Sequence, residues 1–370
     1  MTKLDLRIAT DGDIDALCVI ETASFDIDRL SRRAFKRFIG SETARLCVAV
    51  SDQVIVGYAL VIFRRNVAMA RLYSMAVSHD HRGQGIGRAL LTRAEELSLD
   101  FGAPILRLEV NLQNETAIGL FKSAGYREFA LYPDYYPDHS DALRMERVLV
   151  PQSLRRPSPI HFYHQTLPFT CGPAALMMAM NALDPDVEMD RYQEIALWRE
   201  ATTVFMTSGH GGCGPLGLGL AAHRRGFDVE ILRSRDGPLF VDTVRKPQNR
   251  EVVELVHYDF ARQAKSLGIP VTTGPFSIAE IEERSSEGKI ALVLISQYRI
   301  YGDKIPHWVV VSGFDDRFVY VTDPDIGEDH EPFSGSDCVS TPILRNEFDL
   351  MVRYGRDKLQ AAVFIEKRAG

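Results

Sequence analysis

At 370 residues the chain is long enough for more than one hydrophobic core, because a single core stops growing near ~250–300 residues. Its apolar share of 45% is that of an ordinary globular protein. The net charge of −7 is uneven: nineteen Lys and Arg face twenty Asp and Glu over residues 1–150, which leaves −6 for the remainder, so neither half offers the basic field that nucleic acid needs.

No apolar run approaches the roughly 20 residues of a membrane span, and the first residues lack the charged and apolar regions of a signal peptide. Five cysteines, odd in number and scattered (Cys18, Cys47, Cys171, Cys213, Cys338), suit reduced thiols in a cytoplasm better than a disulfide framework.

In chain order, residues 1–150 alternate strands and helices. Short runs of β-branched and apolar residues predict strands at 6–9, 46–50, 54–62, 70–77 and 105–110, with closing strands near 127–131 and 142–149. Helices are predicted from Asp11 to about residue 25, at 31–39, at 85–97, where Leu90, Leu91, Ala94 and Leu97 form one stripe, and at 115–123. Residues 151–159 hold Pro151, Pro157 and Pro159 among polar neighbours, resist helix and central strand alike, and read as a linker. Beyond it, helices are expected at 173–183, 190–200, 216–224 with Gly226 as the stop, 251–266 and 277–284. Strands come late, at 291–296, 308–313, 318–322 and 361–365. The organisation is therefore an α/β domain over 1–150, a linker over 151–159, and a second, α+β domain over 160–370, with helices first and sheet last.

Arg82, Gly83, Gln84, Gly85, Ile86 and Gly87 form a glycine loop that opens a helix soon after a strand. Without Cβ atoms such a loop can turn its backbone N–H groups onto a phosphate, and the helix dipole favours the anion. Arg82 and Arg88 are placed to add ion pairs. A dinucleotide-binding loop is the rival reading, but it normally sits in the first strand–turn–helix of its domain, and here several strands come first.

With Met75, Ala76 and Val77 before that loop, Leu108-Glu109-Val110, Asn114 with Ala117, Gly125-Tyr126 and Asp134-Tyr135-Tyr136-Pro137, residues 4–149 resemble the GNAT acetyltransferases, and more narrowly the bacterial ribosomal-protein-alanine N-acetyltransferases. The resemblance implies a mixed-sheet fold and acetyl-CoA as donor. It implies that the backbone of Met75, Ala76 and Val77 pairs with the pantetheine arm, that Asn114 contacts the cofactor, and that Tyr135 and Tyr136 wall a peptide site. Glu109 would be the general base, acting through water; the residues themselves also allow a strand carboxylate paired with Arg107 or Lys122. One departure stands out. Phe121 occupies the place where the family commonly has a tyrosine whose hydroxyl protonates the departing thiolate, which implies slower transfer, another acid such as Tyr135 or Tyr136, or none.

In the second half Cys171 should open a helix, with Gly172 and Pro173 in the first turn and an apolar run behind them. A thiol there is polarised by the helix dipole, and a nearby imidazolium would complete its activation. Gln165, six residues earlier, can set its amide beside the Cys171 N–H as an oxyanion hole. The strands at 308–313 and 318–322 read as a hairpin turning at Asp315-Asp316, which puts His307 nearly opposite Asp323. Asp323 can then orient the imidazole, as in other triads.

Gln165-x5-Cys171-Gly172-Pro173-Ala174-Ala175-Leu176, and His307-Trp308 leading to Asp323-Pro324, resemble papain-like cysteine peptidases, most of all the family that removes double-glycine leader peptides from bacteriocins. The resemblance implies Cys171 as nucleophile, His307 as base then acid, Asp323 as orienter and Gln165 as oxyanion donor. Cys213-Gly214-Pro215 repeats the triplet without a glutamine six residues before it, and reads as a structural or cleft element. His210 and Cys213 are too few for a closed metal site, so no metal is expected.

Together these features imply a bifunctional enzyme, an N-acetyltransferase joined to a cysteine peptidase, with a peptide or protein substrate and no nucleic-acid or membrane partner. Two alternatives remain open: one half is a non-catalytic peptide-binding module, or the pair acts on small amines and amides as acyltransferase plus amidase.

Overall fold

The structure is a computed structural model that describes residues 4–26, 29–149, 160–206, 209–286, 288–326 and 338–368. The chain divides into two compact units, Met1–Gln152 and Ser153–Gly370. The linker expected at 151–159 lies outside the described residues.

In the first unit the order is β1 (Asp5–Ile8), α1 (Ile14–Ser24), α2 (Arg32–Ile39), β2 (Ala44–Ser51), β3 (Val54–Phe63), β4 (Met69–Val77), α3 (Ile86–Asp100), β5 (Ile105–Asn111), α4 (Glu115–Ser123), β6 (Arg127–Tyr132) and β7 (Ala142–Val148). The strands form one mixed sheet in the order β1-β2-β3-β4-β5-β7-β6, antiparallel except where β4 meets β5. Leu90, Leu91 and Ala94 of α3 and Phe121 of α4 pack on Ala59, Val61, Leu106 and Leu108, so alternate strand residues supply one buried face. The parallel contact is short: Met69, Ala70 and Arg71 pair with Ile105, Leu106 and Arg107. From Leu72 to Val77, β4 runs on beside β3 alone among the described residues, and the sheet opens into a wedge.

The second unit runs α5 (Cys171–Leu183), α6 (Arg191–Ala201), β8 (Phe205–Met206), β9 (Gly209–His210), α7 (Pro215–Arg224), β10 (Phe227–Arg233), α8 (Pro247–Ser266), β11 (Val271–Thr273), α9 (Ile278–Ser286), β12 (Ile290–Ser296), α10 (Tyr298–Tyr301), β13 (Pro306–Phe314), β14 (Phe318–Thr322), β15 (Thr341–Leu344), α11 (Arg345–Met351) and β16 (Ala361–Lys367). Its main sheet has the order β11-β10-β16-β12-β13-β14-β15. One face packs against α5, α6 and α7 through Leu176, Leu197, Leu220, Trp308 and Val363. The other packs against α9 and α11 through Ile281, Phe348, Val293, Val309 and Val321. Residues 171–181 of α5 are all buried, as a helix apolar on every side must be.

The expectation of helices first and sheet last needs correction. β10 enters the sheet between α7 and α8, with β11 parallel beside it, and β15 adds the far edge. Phe227, Val229 and Ile231 of β10 are buried while Asp228 and Glu230 alternate with them. Glu230 is neutralised by Arg284 at 2.8 Å and Lys289 at 3.3 Å, partners supplied only by tertiary packing.

Candidate active sites

In the first unit, α3 follows a loop in which Gly83 (φ +75°) and Gly85 (φ +81°) take the left-handed conformation that glycine adopts without strain. A Cβ at either position would meet nothing within 4 Å, so the loop presents open backbone at the start of a 15-residue helix. Arg82 is exposed beside it, with Nε 3.2 Å from the Val77 carbonyl. Arg88, expected to add an ion pair there, instead donates to Ser123 Oγ (3.2 Å) and the Ser123 carbonyl (3.1 Å), capping the end of α4. Gln84 is exposed and reaches the Asp80 carbonyl at 3.4 Å; Ile86 is buried in the α3 core, and Gly87 packs 3.5 Å from Leu120 by its Cβ position. Met75, Ala76 and Val77 pair with Ala59, Tyr58 and Gly57 of β3, and their other edge faces the wedge. Asn114 is the N-cap of α4, accepting from the Ala117 N–H at 3.1 Å.

The Glu109 side chain is 3% exposed, with Oε2 2.6 Å from Arg71 Nε and Oε1 3.2 Å from Arg144 Nε. Of the sequence neighbours suggested as its partners, Arg107 pairs with Glu146 at 2.9 Å and Lys122 with Glu128 at 2.7 Å. Arg71 also donates to Tyr135 Oη at 2.6 Å, and Tyr135 meets Tyr136 edge-on with ring centroids 5.0 Å apart. Arg71, Glu109, Arg144 and Tyr135 thus make one polar network beside the point where β4 and β5 part. Arg71 and Arg144 were not found by sequence reasoning, since arginine at alternate strand positions reads as solvent-facing. Phe121 is 5% exposed and packs on Tyr126 within the α3–α4 core.

In the second unit His307 meets Asp323 and lies beside Cys171. Thr170 is the N-cap of α5, so Cys171 is its first residue, and the side chain is 8% exposed. Gly172 lets α5 approach its neighbours: a Cβ there would stand 3.2 Å from the Cys213 Cβ and 3.3 Å from Leu218. Cys213 is accordingly a packing residue, its thiol pushed up by burial and by Cys171, and its carbonyl accepts from Trp308 Nε1 at 2.9 Å. His210 lies against Phe169, ring centroids 5.0 Å apart, and near Trp198 at 6.3 Å.

His307 is 3% exposed and its Nε2 lies 2.6 Å from Asp323 Oδ1. Burial alone would lower the His307 pKa; the Asp323 carboxylate and a hydrogen bond and charge interaction with Cys171 outweigh it and hold the imidazole well above its ordinary value. Asp323 is itself fixed by the Asp325 N–H at 2.9 Å and by Tyr301 Oη at 3.2 Å from Oδ2. Gln165 is 7% exposed, donates its backbone N–H to the Pro324 carbonyl at 2.9 Å, and has a buried Oε1 with no hydrogen-bond partner among the described residues. Tyr301 carries no spacing signal that sequence could have used.

Residues 160–366 match the profile of the Peptidase_C39 like family. The chain belongs to that family. Residues 14–126 match the Acetyltransferase (GNAT) family, and the first unit is a GNAT acetyltransferase domain; enzymes of that family use acetyl-CoA as acyl donor. A protein of Bacillus subtilis (strain 168), provisionally named a [ribosomal protein bS18]-alanine N-acetyltransferase, is 30% identical over 39% of this chain and 95% of its own length. The [ribosomal protein bS18]-alanine N-acetyltransferase of Escherichia coli (strain K12) is 40% identical over 18% of this chain and 46% of its own. An uncharacterized protein of Mycobacterium leprae (strain TN) is 32% identical over 37% of this chain, which spans 39% of that protein. No helix among the described residues is long and apolar enough to cross a membrane.

Proposed function

We propose that the chain is a bifunctional enzyme: its first unit transfers acetyl from acetyl-CoA to a peptide or protein amine, and its second hydrolyses a peptide bond through Cys171. The observation that carries the second activity is the buried His307–Asp323 pair at 2.6 Å beside Cys171, whose interaction with the imidazole joins Asp323 in raising its pKa. With Nε2 held by Asp323, the ring leaves Nδ1 for the sulfur. Cys171 Sγ attacks the scissile carbonyl carbon, and the carbonyl π pair moves onto oxygen, where the Gln165 amide and the Cys171 N–H donate to it. As the tetrahedral species collapses, the C–N bond breaks and the imidazolium gives its proton to the leaving amine. Water then adds to the thioester with His307 as base, releasing the acid and the thiol.

For the first activity, the open glycine backbone at the α3 N-terminus fits a pyrophosphate, and the free edge of Met75, Ala76 and Val77 along the wedge fits the pantetheine amides. Bound acetyl-CoA supplies the acetyl group as a thioester. Tyr135 and Tyr136 line the acceptor side. Glu109, both of whose oxygens pair with guanidinium groups, holds Arg71 and Tyr135 in place and takes the acceptor's proton through water. The relatives named for acetylation of a ribosomal-protein alanine support a protein N-terminus as acceptor.

The test is low-dose iodoacetamide at mildly acidic pH with peptide mapping of all five cysteines, on wild type and His307→Ala. Fast labelling confined to Cys171 and lost in the variant is expected; slow, uniform labelling sinks the peptidase reading. Release of CoA with an alanine-initiated peptide tests the other half. Binding of acetyl-CoA without turnover would reduce that unit to a binding module.

A further inference from the structure

The loop between Gln165 and Cys171 is tied to one carboxylate. Glu194 stands in the first turn of α6, where the helix dipole favours an anion, and it is 0% exposed. Its Oε1 accepts from the Thr166 backbone N–H at 2.8 Å and from the Thr170 hydroxyl; its Oε2 accepts from the Thr166 hydroxyl at 2.7 Å and from Tyr163 Oη at 3.0 Å. Burial and this carboxylate push the Tyr163 phenol up, which keeps it a donor. A buried charge is costly unless several hydrogen bonds compensate it, and here all four come from one eight-residue stretch.

The donors bracket the chemistry. Thr166 follows Gln165, and Thr170 is the N-cap that precedes Cys171. On its other side Gln165 is bound to the Pro324 carbonyl, next to Asp323. The loop therefore spans from the His307–Asp323 strand end to Glu194, held on both sides of Gln165.

We infer that Glu194 is a positioning residue, whose carboxylate sets the oxyanion donor Gln165 against Cys171 without touching substrate. This rests on the peptidase reading above. In that reading Glu194 governs stabilisation of the oxyanion and leaves activation of the thiol to His307 and Asp323.

The test uses the full chain and two probes: iodoacetamide, which needs only the activated thiol, and a peptide ending in glycinal, whose carbonyl adds Cys171 S–H to give a hemithioacetal oxygen that Gln165 must bind. In Glu194→Gln the amide nitrogen cannot accept, so two of the four bonds are lost. Aldehyde affinity is expected to fall about tenfold or more, as in Gln165→Ala, with iodoacetamide rates within about threefold of wild type. The double variant should be no weaker than the worse single one, because both act through the same donor. Losses that multiply, or aldehyde affinity unchanged in Glu194→Gln, overturn the inference. Thr166→Val, at an exposed position, removes one donor without burying a new group and replaces Glu194→Gln if that variant does not fold. Iodoacetamide labelling that is slow and independent of His307 in the wild type fails the peptidase reading itself, and the inference with it.

Discussion

Asp323 shares a sheet face with His307 because of one extra residue. Near the hairpin tip β13 and β14 pair Phe314 with Val319 and Gly313 with Tyr320, a register that would carry Asp323 opposite Val310. A bulge at Ser312 shifts the pairing to Val311 with Val321 and Val310 with Thr322, which carries Asp323 opposite Val309, and His307 lies on that face two residues along. The carboxylate then reaches Nε2 diagonally, at 2.6 Å.

That contact predicts a pH signature. Without the Asp323 carboxylate, only Cys171 opposes the burial that lowers the His307 pKa. Asp323→Asn should slow alkylation of Cys171 about tenfold or more near pH 6, with the gap closing near pH 9. A pH–rate profile with iodoacetamide reads it; a profile that superposes on wild type rejects the role. The folded pKa is raised, so the imidazolium's contribution to stability is complete below about pH 6.5 and is lost as pH rises through the folded value. The melting difference between wild type and variant should shrink accordingly toward alkaline pH.

His257 predicts the opposite slope. Burial, and then Arg233, lower it to about 4. A depressed histidine adds stability above the unfolded value of about 6.5 that is lost as pH falls toward the folded one. The second unit should therefore lose melting temperature between about pH 6.5 and 4, and His257→Gln should flatten that slope. Calorimetry across this range checks it.

Gly85→Val tests the phosphate loop. At φ +81° a β-branched residue is strained by about 1–2 kcal/mol, and its side chain occupies the face where the N–H groups open. CoA affinity by titration calorimetry should weaken about tenfold or more while the alkylation rate of Cys171 stays unchanged. Equal CoA affinity would place the cofactor elsewhere.

Glu109→Gln separates scaffold from base. Removing the charge leaves Arg71 and Arg144 facing each other in a buried site, a loss of about 3 kcal/mol by analogy with broken buried pairs. Denaturant unfolding should show that loss together with reduced acetyl transfer. A stable variant with lowered kcat alone would make Glu109 a base and nothing more.

Much of both sites was legible as residue types at fixed spacing. Gly83 and Gly85 announce a left-handed loop because only glycine enters that conformation cheaply, and Cys171-Gly172-Pro173 before an apolar run announces a buried helix start. Such signals are local: they depend on neighbours within a turn. β10 was not read as a strand although Phe227, Val229 and Ile231 alternate with Asp228 and Glu230, because two carboxylates break the apolar run and the cations that neutralise Glu230 lie more than fifty residues away.

What the chain determined by itself, then, is its two-part organisation, its helix starts, its glycine loop and the identity of the thiol, imidazole and carboxylate, all set by backbone preference and hydrophobic period. Tertiary structure decided which buried charges meet. Glu109 met Arg71 and Arg144, Glu194 gathered Tyr163, Thr166 and Thr170, and a single bulge aligned Asp323 with His307. A buried ion or hydrogen-bonding group must find its partner wherever the packed chain supplies one, and sequence separation sets no limit on that choice.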